Sequence, residues 1–152
     1  MKKAFFLLSV MLVPLLLNAQ AEEAQVKAAV TTFFTGFHAQ DSVLMKSVLA
    51  DDVILQTTAR DQSGKTQFSS SSIDNLMVSI LSIPDSVSFQ EKLTSWNIQT
   101  DRTMANAWVG YEFWLNGEFS HCGINSFQLI NFDGEWKIIY LIDTRGKEGC
   151  MD

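Results

Sequence analysis

Apolar residues recur along this chain with two different periods, and the change from one to the other divides it. Val26, Val30, Phe33, Phe34 and Phe37 fall at helical spacing and make one apolar stripe. Asp41 is placed to N-cap a short second helix carrying Leu44, Val48 and Leu49. DDVILQTT then turns to alternation and β-branched residues, which predicts a strand beginning near Val53. ARDQSGKTQ is a turn-rich connection. Ile73, Leu76, Met77, Ile80 and Leu81 return to helical spacing, with Ser71 and Asp74 set for a capping box. The serine run before them reads as helix entry, and Ile83-Pro84-Asp85 ends the helix.

From Val87 onward the pattern is that of a β-meander. Asn116-Gly117 and Asp133-Gly134 are two-residue hairpin turns, because both central positions take positive φ. Thr100 to Thr103 is a weaker turn. Helices first and strands last predict an α+β fold, with three helices packed on one face of a curved antiparallel sheet.

The start of the chain has a different pattern. Lys2 and Lys3 precede an apolar run from Phe5 to Leu17, and Ala19-Gln20-Ala21 follows as a small-x-small site. This reads as a signal peptide over residues 1–21, cleaved after Ala19 or Ala21, so the protein is expected to be exported, periplasmic or secreted. The run is shorter than the ~20 apolar residues a membrane span needs. Residues 22–152 then form a single domain. Without Lys2 and Lys3 the formal charge goes from −6 to −8. That acidity argues against nucleic acid or an anionic membrane as partner. Cys122 and Cys150 are the only cysteines. Export would permit a bridge between them, and two free thiols are the alternative.

The hairpin turns set strand registers, and register sets faces. Counting back from Asn116-Gly117 puts Glu112 opposite His121. A turn at Asp101-Arg102 puts Glu91 opposite Glu112. Counting from Asp133-Gly134 puts Phe127 opposite Tyr140. One face then carries Glu91, Glu112 and His121 in a row, Leu93, Gly110, Gly123 and Thr144 in the next, and Ser95, Trp108, Asn125 and Ile142 beyond. Facing glycines leave space there, above a floor of aromatics, as a ligand pocket requires. The other face carries Val109, Tyr111, Phe113, Cys122, Ile124, Ile130, Ile139 and Leu141, with Lys137 and Asp143 among them. It is too apolar for a fully solvated surface, which predicts an interface with a second copy. A β-bulge would reverse these assignments beyond it.

The element order, the stretch AQDSVLMKSVLADDVIL and the D-G-x-W-K-I stretch from Asp133 to Ile138 resemble the nuclear transport factor 2-like superfamily, which includes the SnoaL-like proteins. GFHAQD, FSHCGINSFQL, WKIIYLIDTR and the late Cys150 look like a secreted, uncharacterised subgroup of it. The resemblance implies a cone-shaped, cystatin-like domain with a small-molecule pocket between sheet and helices. It also implies a homodimer through the outer face of the sheet. The fold hosts isomerases, dehydratases, epoxide hydrolases, polyketide cyclases and noncatalytic modules, so it does not by itself name an activity.

His121 beside Glu112 is the leading constellation. A carboxylate fixes an imidazole's tautomer and raises its pKa, which suits a general acid or base, and equally a plain ion pair at a pocket rim. His38 continues the edge of the first helix's buried stripe and is either a packing residue or, as the subgroup resemblance implies, a pocket residue. Glu91, Trp108, Asn125 and Tyr140 are further candidate ligand contacts. Asp143 and Arg145 suit a polar ligand group or an exposed ion pair. His121, Glu112, Glu91 and His38 are metal-ligand types without diagnostic spacing, so no metal or other cofactor is expected. Ser120 and Ser126 lack a hydrolase elbow. Three functions remain: an exported domain binding a small, partly apolar molecule; a proton-transfer enzyme of isomerase, dehydratase or hydrolase type using His121 with Glu112; and a protein-interaction module.

Overall fold

The computed structural model describes the backbone of residues 4–150 and the side chains of residues 20–150. The elements, in order, are α1 (Ala4–His38), α2 (Ser42–Lys46), β1 (Leu49–Arg60), β2 (Thr66–Ser71), α3 (Ile73–Leu81), β3 (Phe89–Asp101), β4 (Met104–Leu115), β5 (Glu118–Phe132) and β6 (Glu135–Arg145). The side chains of the predicted signal segment lie outside the described residues, save for Gln20 and Ala21. Among the described residues no helix is long and apolar enough to cross a membrane.

Six strands form one sheet in the order β2-β1-β6-β5-β4-β3. The expected α+β architecture is present, but the sheet is mixed and not purely antiparallel. β1 leaves the helices and lies parallel to β6, the last strand to arrive, while every other pair is antiparallel. The turn-rich connection also hides a strand. Asp61 Oδ1 accepts hydrogen bonds from the backbone of Ser63 and Lys65, closing a hairpin from which β2 runs back along β1. The serine run is therefore largely strand. Ser72, not Ser71, caps α3, its side chain accepting from the Asn75 N–H at 3.2 Å.

The predicted stripes become the core. Val26, Val30, Phe33 and Phe34 of α1 are buried against Phe127, Leu129, Ile138, Val109 and the small Ala105 and Ala107. Phe33 and Phe34 both meet the Phe127 ring edge-on, at 6.4 and 6.1 Å between centroids. Each such side chain contributes about 1.5–3 kcal/mol on burial. Asp41 caps α2 through two bonds from Val43 and Leu44 N–H. The buried residue of that turn is Met45, and Leu49 already belongs to β1. Gln40 donates to the carbonyls of Ile80 and Ile83, fastening the end of α3 to the end of α1.

Three bulges bend the meander. They fall at Thr94 in β3, Ser120 in β5 and Ile139 in β6, where the pairing steps by one residue. The β3–β4 turn is also centred one residue later than the sequence indicated, with Asp101 facing Met104 and Arg102 at φ 53°. Bulges increase local twist and bend the strand that carries them. In this sheet they also decide which side chains face the helices.

Candidate functional site

A cavity of about 270 Å³ lies between the helices and the inner face of the sheet. α1 supplies Phe33 and Phe34 from one turn and Phe37 from the next, and α3 supplies Leu76 and Ile80. The sheet supplies Glu91, Tyr111, Phe113, His121, Asn125, Leu141, Asp143 and Arg145. Five of the nine candidate ligand or catalytic residues thus come together here: Glu91, His121, Asn125, Asp143 and Arg145.

The bulges explain how. Beyond Ser120, His121 pairs with Phe113 and Cys122 with Glu112. Beyond Thr94, Glu91 also pairs with Phe113. The row is therefore Glu91, Phe113, His121, with Phe113 where the sequence indicated Glu112. Beyond Ile139, Leu141, Asp143 and Arg145 turn inward and Asn125 pairs with Asp143.

The same steps move three candidates away. Glu112 is on the outer face, accepting from Trp114 Nε1 at 2.9 Å, so the expected contact with His121 is not made. Trp108 is 51% exposed on that face, opposite Ser126. Tyr140 pairs with Gln128 and donates to the side chain of Gln56 on β1. Neither forms a wall of the cavity. The glycines do not leave ligand space either. A Cβ on Gly110 would lie 2.4 Å from Ser95 Oγ, and one on Gly123 1.8 Å from the Thr144 carbonyl oxygen. Their missing side chains admit neighbouring protein atoms.

His38 lies outside this cavity. Its Nε2 accepts the backbone N–H of Glu91 at 2.9 Å, and burial holds its pKa below the ordinary histidine value, consistent with a neutral acceptor. It thus fixes the strand that carries Glu91. Cys122 and Cys150 are joined as a disulfide with Cα atoms 5.6 Å apart. Cys122 bridges Gly146, one residue beyond the Arg145 that an unbulged register gives, and the tail folds back to bring Cys150 to it.

No family model matches the chain, and no curated protein matches it in sequence. Many solved structures match in shape. A nuclear transport factor 2-like protein of unknown function from Shewanella baltica superposes with a TM-score of 0.62 at 16% identity, covering 84% of this chain and 96% of the other. A protein of unknown function with a cystatin-like fold from Nostoc punctiforme gives 0.63 at 12%, over 82% and 91%. The β subunit of a proposed aromatic-ring-hydroxylating dioxygenase from Novosphingobium aromaticivorans gives 0.66 at 9%, over 84% and 91%. The fold is nuclear transport factor 2-like. At these identities the likeness is one of fold and carries no activity.

Within this nuclear transport factor 2-like cone, the electrostatics separate the polar groups of the cavity. Asp143 is held by Arg145 Nε at 2.8 Å and by Thr57 Oγ1 at 2.5 Å. Tyr111 donates to the Thr144 carbonyl at 2.8 Å, and burial, then Asp143 and Glu91, push its hydroxyl up, so it stays protonated. His121 stacks on Phe113 at 5.0 Å and meets Tyr111 edge-on. Burial and then the Arg145 guanidinium hold it below the ordinary histidine value. Glu91 accepts one hydrogen bond, from Asn125 Nδ2 at 2.7 Å. Burial among these rings pushes its carboxyl up to about 7, with Asp143 adding to the shift and Asn125 and Arg145 opposing it. Glu91 is thus a carboxyl that can hold or release a proton near neutrality. Among the described residues no three His, Cys, Asp or Glu side chains are grouped to hold a metal ion.

Sequence reasoning missed Tyr111, Phe113 and Leu141. Their signal was present: Val109, Tyr111 and Phe113 alternate as a strongly apolar series, which suits an inner face better than an outer one.

Proposed function

We propose that this protein binds a small, partly apolar molecule in the cavity between its helices and its sheet. The observation that supports this reading is the cavity, walled by Phe33, Phe34, Phe37 and Phe113 and bordered by Glu91, Asn125 and His121. A mostly apolar hollow with a few convergent polar groups is the general form of a small-molecule site. At about 270 Å³ it suits one ring with a short side chain. Its Tm, measured with a mixture of small metabolites, should rise for the wild-type protein. The rise should vanish in Leu141→Trp, which fills the cavity. An unchanged wild-type Tm, or an equal rise in a folded Leu141→Trp protein, would sink this reading.

One observation favours a second reading, a proton-transfer enzyme. It is the Glu91 carboxyl, poised near neutrality and facing the same space as His121. In that reading Glu91 takes the place expected of Glu112. Export of the protein rests on the pattern of residues 1–21 and completes the proposal. The outer face of the sheet, with Trp108 half exposed and Ile54 and Met104 more than half, is the surface for a second copy of the chain, in preference to an unrelated protein partner.

A further inference from the structure

We propose that the cavity selects a small ammonium ion carried on an aromatic or alicyclic body, with Glu91 as its counter-ion. This rests on the reading of the cavity as a small-molecule site and names the ligand's chemistry.

β6 brings Asp143 and Arg145 to the cavity, and they neutralise each other at 2.8 Å. Thr57 Oγ1 occupies the other Asp143 oxygen, and the Tyr111 hydroxyl lies 3.5 Å from the first. β4 contributes Tyr111, which stays protonated, and β5 contributes His121, held toward its neutral form. α1 brings one titratable group near Glu91, the imidazole of His38, which accepts the Glu91 backbone N–H. The α3 residues at the cavity, Leu76 and Ile80, carry no charge. Glu91 is left as the acid of the cavity without a cation of its own, and its hydrogen bond from Asn125 is a donor aimed at the ionised carboxylate.

Such a group in an apolar setting is costly when charged, and a ligand that brings the opposite charge removes the cost. The walls point the same way. Phe33, Phe34, Phe37 and Phe113 line the space, and aromatic faces attract cations most strongly where water is excluded. A carboxylate ligand would meet Glu91 with like charge. A neutral carbonyl ligand would instead draw a hydrogen bond from protonated Glu91. The two cases move the proton in opposite directions: an ammonium ligand expels it from Glu91, and a carbonyl ligand retains it.

Isothermal titration calorimetry near pH 6.5, in buffers of different ionisation enthalpy, reads both affinity and proton release. The probes are phenethylamine, 2-phenylethanol and 3-phenylpropionate, each with the wild-type protein and with Glu91→Gln. Phenethylamine should bind the wild type at least about tenfold more tightly than 2-phenylethanol and should release protons. In Glu91→Gln both the preference and the release should disappear. Equal binding of the amine and the alcohol, or an amine preference that survives Glu91→Gln, would overturn the inference and leave the cavity reading intact. Binding of none of the three probes would also overturn it, and the Leu141→Trp comparison then decides the cavity reading separately.

Discussion

Glu91 shows how far one residue's chemistry depends on its neighbours. Its carboxyl is raised from 4.5 to about 7, chiefly by burial. A folded-state pKa above the unfolded one means that the folded protein holds the proton more tightly. The contribution of this group to stability is therefore greatest below about pH 4.5, falls as pH rises, and is fully lost above about pH 7. The reduction is at most about 3 kcal/mol, the free-energy equivalent of that shift. Glu91→Gln keeps an oxygen for Asn125 and removes the titration. In urea unfolding it should match the wild type near pH 4.5 and exceed it by up to about 3 kcal/mol near pH 8. A difference that does not change with pH would show that the carboxyl is solvated. The residue types of the site were legible in the sequence, since Glu91, Asn125, His121, Asp143 and Arg145 were all named from it. Their environments were not, because burial and field are properties of assembled neighbours.

At the scale of elements, helices were easier to read than strand partners. Helical spacing places side chains on one side by local geometry alone, and the α1 stripe is buried as written. A strand's face depends on every residue between it and the turn. One bulge at Ser120 exchanged Glu112 for Phe113 beside His121, and one at Ile139 turned Tyr140 outward and Asp143 inward. β2 was missed because its polar, serine-rich sequence carries no strand pattern, and its pairing with β1 supplies what its side chains do not. The close approach of β5 and β6 gives a test. Gly123→Ala would put a methyl group 1.8 Å from the Thr144 carbonyl, so backbone must move. It should cost more than about 3 kcal/mol, seen as a large fall in Tm, whereas Ser126→Ala on the outer face should cost less than about 1 kcal/mol. A mild Gly123→Ala would mean that the two strands are not held this closely.

Over the whole molecule, helices cover one face of the sheet and leave the other open. Trp108, Ile54 and Met104 are exposed on the open face, amid Asn106, Gln128 and Ser126. Apolar side chains flanking a strip of amide groups are suited to a self-complementary contact. Sedimentation should find a dimer at micromolar concentration, and Trp108→Lys should weaken it by about a hundredfold or more. A wild-type monomer at that concentration would remove the proposed second copy. The sequence by itself determined the element types, the α+β class, the α1 stripe and the cap at Asp41, because each depends on residues a few positions apart. Only the tertiary structure decided the parallel contact of β1 with β6, the faces beyond each bulge and the company Glu91 keeps. Those depend on where distant segments meet, and in a strand of period two a single extra residue reverses every side chain that follows.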